Sequence, residues 1–251
     1  MKLIRAHATN YRNIIDSNPV EIGQSTCLVG KNEAGKSAFL KALEGLHSTD
    51  KSYVEYGKIT NYPRRSFADY VENHVGGDAL VMRTFWELDD SDVAAITADL
   101  GAKALRHRTI QVCKTYEQTT TTWTVPIDEA SVVAHLVETH GLTTGERTQL
   151  AGSNTTLRVA ALLEKADARS DGQQALLDAI KGFRKSDASL RAIDILSARM
   201  PRFMYFSHYD RMSGEVSINK IARDRSNGIE MASGDRVFLD FLEYAGTTLE
   251  D

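Results

Sequence analysis

Two spacings of apolar residues divide the chain into its elements. Near the start, Lys2-Leu3-Ile4-Arg5-Ala6 and Val20-Glu21-Ile22 are β-prone runs on either side of the polar turn Asp16-Ser17-Asn18-Pro19, which predicts a hairpin at the leading edge of a sheet. Ser25-Thr26-Cys27-Leu28-Val29 is another such run and stops at Gly30; from Ser37 the spacing becomes helical, with Phe39, Leu40 and Leu43 on one side. Strand, glycine loop and helix are therefore expected in that order. Signals weaken over 48–77, where Tyr62-Pro63-Arg64-Arg65 marks an extended or turn segment because proline restricts its predecessor. Beyond it the pattern predicts a strand over 79–88, a helix over 91–100 capped by Asp89 or Asp90, and a threonine-rich β pair over 109–125. Helical spacing follows over 127–140, 157–165, 172–183 and 188–200, with polar joints between. Pro201 stops the last of these, Phe203-Met204-Tyr205-Phe206 is a buried-strand candidate, a short strand is expected over 215–218, and a final helix over 236–245.

Composition narrows the classes. A chain of 251 residues has room for one large domain or two small ones and for a sizeable core. Thirty Lys and Arg stand against thirty-four Asp and Glu, for a net charge of −4, so no whole-protein field draws in nucleic acid or an anionic membrane, although a local basic patch remains open. Two cysteines, Cys27 and Cys113, cannot form a disulfide framework. Charge interrupts the first residues too early for a signal segment, and no apolar run approaches membrane-spanning length. A cytoplasmic protein without a membrane partner is expected.

One motif changes the picture. Gly30-Lys31-Asn32-Glu33-Ala34-Gly35-Lys36-Ser37 matches G-x-x-x-x-G-K-[ST] at every fixed position and sits between the predicted strand and helix that the motif requires. Gly30 and Gly35 are expected to take conformations that a Cβ would oppose, turning successive N–H groups inward around an anion. The helix beginning near Lys36 adds its open N–H groups and positive dipole end. Lys36 can set an ammonium against β- and γ-phosphate oxygens, and the Ser37 hydroxyl can ligate Mg²⁺. The cofactors expected are ATP and Mg²⁺. The competing structural explanation is a glycine turn with an exposed lysine.

The segment Leu3-x-x-x-x-Ala8-x-Asn10-Tyr11-Arg12-Asn13-Ile14, followed by the loop 30–37, resembles the amino-terminal head lobe of SMC-like and RecF-like ABC ATPases, closest to the overcoming-lysogenization-defect (OLD) type grouped with AAA ATPases. Only about the first fifty residues carry the specific motifs. The resemblance implies an α/β P-loop NTPase fold, an ABC-ATPase-like head lobe with an N-terminal β-hairpin and a helical insertion over 127–200. It implies that Arg12, the basic member of the Tyr11-Arg12 pair, returns beside the phosphate loop. It also implies ATP-driven work on DNA in repair or phage defence.

This family hydrolyses ATP with a strand ending in Asp-Glu and with a glycine-rich signature supplied across a dimer, and neither is evident. Phe203-Met204-Tyr205-Phe206-Ser207-His208-Tyr209-Asp210 brings its acid late with no Glu after it; Met231-Ala232-Ser233-Gly234-Asp235 lacks the second glycine. By position the first of these corresponds to the family's Mg²⁺- and water-contacting Gln, with Ser207, His208, Tyr209 or Asp210 in its place. The chain therefore reads as an incomplete head, needing a homodimer partner or a completing C-terminal half for turnover. The alternative is a switch that binds ATP without hydrolysing it, and a third class is a small-molecule phosphotransferase that shares only the loop.

Other clusters have simpler explanations. Glu87, Asp89, Asp90 and Asp92 could ligate a metal but also suit a helix cap. His135 and His140, five apart, do not share a helix face and read as solvated; Cys27 reads as a small hydrophobe on its strand. Thr119-Thr120-Thr121-Thr122 reads as an exposed β face. Arg64-Arg65, Lys181 with Arg184 and Lys185, and Arg223 with Arg225 are basic spots that can meet phosphate or simply be solvated.

Overall fold

Alternation in the first eleven residues builds the sheet. In β1 (Lys2–Tyr11) Ala6, Ala8 and Tyr11 are buried while Arg5, His7 and Thr9 remain partly exposed, the two-residue period of a strand with one solvated side. Asn10 breaks the phase with φ 52°; asparagine tolerates this left-handed region, and the shift returns Tyr11 to the core. The computed structural model describes residues 1–49, 56–116, 120–206, 216–229 and 231–249. Strands β2 (Ile14–Asp16) and β3 (Val20–Glu21) both pair antiparallel with β1, at Tyr11↔Ile14 and Arg5↔Glu21, which is the expected hairpin. On its other edge β1 pairs with β4 (Leu80–Glu87), β4 with β5 (Thr109–Thr115) and β5 with β6 (Thr122–Thr124), every ladder antiparallel. The architecture is α/β, with a mostly antiparallel sheet and helices.

The buried side of this sheet carries Met82, Trp86, Ile110 and Val112. Thr84 lies among them fully buried, and both its bonding capacities are used: its hydroxyl donates to Val112 O (2.9 Å) and accepts from Trp86 Nε1 (2.9 Å), so a polar group in the core costs little. Helix α1 (Lys36–Glu44) packs on β1 and β4 through Ala38, Phe39 and Ala42. Its buried face is thus one step round from the predicted stripe, because Leu40 is 42% exposed and the close approach to the sheet takes alanines. Two further ties hold its far end: Tyr56 OH donates to Ala42 O, and the buried Lys114 Nζ to Gly45 O (3.0 Å), a cation where the helix dipole favours one.

Between α1 and β4 lie α2 (Lys58–Asn61), a 3₁₀ turn (Arg64–Ser66) and α3 (Tyr70–Asn73). They are held by edge-to-face contacts of Tyr62 with Tyr70 and Tyr116, while Tyr56 packs edge-on against Tyr11 and Tyr116. Helix α4 (Asp90–Leu100) opens on a capping box: Asp89 accepts from Asp92 N, and Asp92 accepts from Asp89 N. Helices α5 (Glu129–Thr139), α6 (Thr144–Leu150), α7 (Thr156–Glu164), α8 (Asp171–Lys181) and α9 (Ala188–Ser197) follow, then α10 (Ile218–Ser226) and α11 (Ser233–Ala245).

Several expectations need correction. The run 25–29 forms no strand: no neighbour supplies a ladder, Val29 is 90% exposed and Cys27 is exposed rather than packed. The run 203–206 is not a strand either; Phe203 alone makes a parallel bridge to Ser48, and Phe206 is 56% exposed. Over 215–218, Ile218 opens α10, whose Ser217 cap accepts from Lys220 N, and Glu215 lies outside the described residues. The joint at 144–150 is a helix. His135 and His140 are half-buried, His135 covering Gly101 and His140 Nδ1 lying 2.7 Å from Leu136 O. No helix among the described residues is long and apolar enough to cross a membrane.

Candidate functional site

The loop 30–37 runs into the first turn of α1, and its shape is set by two left-handed residues. Glu33 has φ 66°, and Gly35, the N-cap of α1, has φ 94° and ψ 3°. At Gly35 glycine is required twice over: the angle opposes an L side chain, and an added Cβ would lie 3.0 Å from Ile14 Cγ1. Gly30 differs from expectation. Its φ is not left-handed, and a Cβ there would meet Ala34 Cβ at 3.5 Å, an ordinary contact, so it supplies a close approach at most. A turn bond from Ala34 N to Lys31 O (3.2 Å) closes the middle of the loop, and Lys31, Asn32, Glu33 and Ala34 are all exposed.

Lys36 folds back over this loop. Its Nζ donates to Gly30 O and Lys31 O, each at 2.7 Å, which holds the ammonium against the first two carbonyls of the loop. Ser37 is exposed beside it. No side chain caps α1 and its first turn holds no acidic residue, so the open N–H groups and positive dipole end of the helix are available to an anion. A left-handed glycine, an uncapped helix start, a lysine ammonium folded onto the loop and an exposed serine thus follow one another at the start of α1, an arrangement chemically suited to a phosphate and its counter-cation.

Asn13, a residue quoted in the sequence pattern without a role, ties this loop to the sheet. From the turn between β1 and β2 its Nδ2 donates to Glu33 O (2.5 Å). Its neighbour Arg12 has φ 55°, donates its backbone N–H to Asn61 O (2.5 Å), and sets its guanidinium 5.4 Å from the Tyr11 ring. Arg12 therefore stands one residue from a direct contact with the loop, while its own side chain makes no hydrogen bond to it. The turn separates two clefts of about 570 Å³ each: one lined by Ile14, Asp16, Leu28, Gly35 and Lys36, the other by Arg12, Thr60, Asn61, Arg64 and Arg65, with Asn13 on both. The carboxylate of the first cleft is committed elsewhere. Asp16 is held below the usual range by His7 Nε2 (2.7 Å) and by Asn18 N–H.

No protein-family model, curated protein or solved structure matches this chain.

The remaining candidates divide. In the acidic cluster Asp89 caps α4, Asp90 accepts from Arg108 (2.6 Å) and Asp92 from Arg199 (2.8 Å); among the described residues no group of three or more metal-binding side chains occurs. Met231-Ala232-Ser233-Gly234-Asp235 leads into α11. Ser207, His208, Tyr209, Asp210 and Thr119 lie outside the described residues; Thr122 is exposed on β6 as expected. A cavity of about 590 Å³ at the opposite end of α1, lined by His47, Lys114, Trp123 and Asp194 among others, is far along the helix from Lys36 and shares none of the loop's chemistry.

Proposed function

We propose that this chain is an ATP-binding P-loop ATPase lobe of the SMC, RecF and OLD type, acting on DNA in repair or phage defence within the cytoplasm. The observation that carries the reading is the loop 30–37, in which left-handed Gly35 leads into the uncapped start of α1 beneath the Lys36 ammonium. In this reading the backbone of Gly30, Lys31, Asn32, Glu33, Ala34 and Gly35 cradles the phosphates, and Lys36 exchanges its two carbonyl contacts for β- and γ-oxygens. Ser37 would hold Mg²⁺, whose charge would be available to offset that of the phosphates. Arg12, one residue beyond the Asn13 clasp, reaches the outer phosphate.

Hydrolysis is assigned to an assembly, a homodimer or a completing C-terminal half. The β-prone run 26–29, unpaired and with Val29 90% exposed just before the loop, supports a partner that supplies strands there. A second reading, an ATP switch without turnover, is favoured by one observation: the carboxylate lining the loop's cleft, Asp16, is engaged by His7 and Asn18 and is a poor base. Calorimetry with ATP and Mg²⁺, together with phosphate release measured across protein concentrations, tests both. Binding with a rate per chain that rises with concentration supports the assembly, and binding without release at any concentration supports the switch. No binding removes both readings, and turnover at or above about 1 per second independent of concentration returns the chain to a self-contained P-loop enzyme.

A further inference from the structure

Three basic spots stand out in the sequence, and the structure sorts them by what neutralises them. Lys181 is paired with Glu164 (2.8 Å), Arg184 with Asp194 (3.0 Å) and Arg223 with Asp224 (3.5 Å); each of these two spots is partly neutralised, Lys185 and Arg225 being their cations without an ion pair among the described residues. Arg64 and Arg65 make no ion pair among the described residues, and neither does Arg12, which the fold brings to the same cleft from fifty residues away. All three are exposed, and no carboxylate lines that cleft. The acidic side chains of the same segment lie elsewhere: Asp78 is paired with Lys58 (3.4 Å), and Asp69 and Glu72 are not on its walls. In a chain of net charge −4, three uncompensated guanidinium groups around one opening form a local field opposed to that of the whole.

The frame beneath them is well packed. Pro63 and Tyr62 are buried, Tyr62 packs edge-on against Tyr70 and Tyr116, and the 3₁₀ turn Arg64–Ser66 projects directly from them. Across the opening, the bond from Arg12 N to Asn61 O fixes the opposite wall. Thr60 and Asn61 add a hydroxyl and an amide between the arginines. Exposed guanidinium forks gathered on an open, polar cleft suit a chain of phosphodiesters that passes through, contacted at its backbone rather than its bases.

We propose that the cleft walled by Arg64 and Arg65 is a binding site for the phosphodiester backbone of a nucleic acid, with Arg12 on the wall it shares with the turn to the nucleotide loop. It is distinct from the nucleotide loop and separated from it by the Arg12-Asn13 turn. The proposal rests on the reading above that the chain acts on nucleic acid, and it adds where the strand is held: Arg64 and Arg65 grip phosphates and read no sequence.

The test compares the parent with the double variant Arg64→Ala/Arg65→Ala, both positions being exposed. Fluorescence anisotropy is measured across a salt series with labelled duplex DNA, single-stranded DNA and single-stranded RNA of one sequence, which separates the possible sources of the backbone. ATP affinity is measured on the same preparations by calorimetry. The expected result is that at least one of the three probes binds the parent, and that the double variant binds it about tenfold or more weakly at low salt. The slope of log affinity against log salt should shrink by about 1.4 to 1.8 for two lost phosphate contacts, with ATP affinity unchanged. Binding of none of the probes by the parent, an unchanged slope and affinity in the variant, or a parallel loss of ATP affinity would overturn the proposal, the last by moving both arginines into the nucleotide site. Absence of ATP binding by the parent, with the nucleic-acid result as expected, would remove the nucleotide reading and leave this site standing.

Discussion

The side-chain amide of Asn13 donates to the backbone carbonyl of Glu33 at 2.5 Å, joining the turn at the end of the first strand to the left-handed corner of the loop 30–37. A loop whose residues are exposed from Lys31 to Ala34 is thereby held at its middle as well as at its two ends. Replacing Asn13 by Asp keeps the shape but turns a donor towards a carbonyl oxygen into an acceptor. ATP affinity is expected to fall by about three- to tenfold for Asn13→Ala, the scale of one net hydrogen bond, and further for Asn13→Asp, which also adds a negative charge beside the phosphates. Calorimetric titration of both variants decides it, and affinity equal to the parent's in both would show the clasp to be incidental.

Lys36→Ala removes the ammonium that bridges Gly30 O and Lys31 O. Loss of a charge-assisted contact of about 3 kcal/mol weakens binding by roughly a hundredfold or more. Far-ultraviolet circular dichroism of the variant should overlay the parent's, because the helix α1 is seated by Ala38, Phe39 and Ala42. Unaltered ATP affinity would refute the assignment.

Gly35→Ala is expected to destabilise the folded protein by about 1–2 kcal/mol, from the left-handed backbone alone, with a further contribution from the 3.0 Å approach to Ile14. Gly30→Ala, where an added Cβ makes an ordinary contact, should change stability much less. Urea midpoints of the two variants give the ordering, and a larger loss at Gly30 would contradict the loop geometry.

His47 gives a pH dependence. Burial pushes its imidazole below the usual histidine value, against the opposing effect of its bond to Pro201 O (3.1 Å). The unfolded chain therefore binds the proton more readily than the folded one. Its contribution to stability is complete above the ordinary histidine pKa of about 6.5 and is lost as pH falls from there through the lowered folded value. The melting temperature should drop over that interval, and His47→Gln should flatten the drop. An identical profile for the variant would assign the pH effect to other groups.

Much of the fold was legible because local signals agreed with tertiary ones. The hairpin around Asp16 to Pro19, the strand before Asp89, the capping residues of α4 and the four long helices between 127 and 200 each combine a periodic run with a punctuating residue. Helix α6 was missed: its Thr143 to Glu146 capping box is a start signal, but too few apolar residues follow it to give a helical period, and the segment read as a polar joint. What could not be read was anything decided by a distant neighbour. The run 25–29 has the composition of a strand, yet strands need ladders, and none is offered to it. Leu40 was expected inside and is partly exposed because small alanines let α1 lie closer to the sheet. At the site the spacing of Gly35, Lys36 and Ser37 was plain in the sequence. The Asn13 clasp and the meeting of Arg12 with Arg64 and Arg65 were not, since both depend on turns brought together across twenty and fifty residues.

The position of β1 also has a consequence for how the molecule is made. Strand β1, which emerges in synthesis well before β4, ends in the interior of the sheet, with Lys2 paired to Glu87 on one edge and β2 and β3 on the other. At about 5–20 residues per second, the ribosome needs on the order of 4–17 s after β1 appears before β4 exists to receive it. During that time β1 has only its short hairpin partners, and the loop 30–37, clasped through Asn13, has only a provisional seat. The nascent loop therefore becomes a fixed structure late in translation, and the long-range closure of β1 on β4 is a natural rate-limiting step of folding.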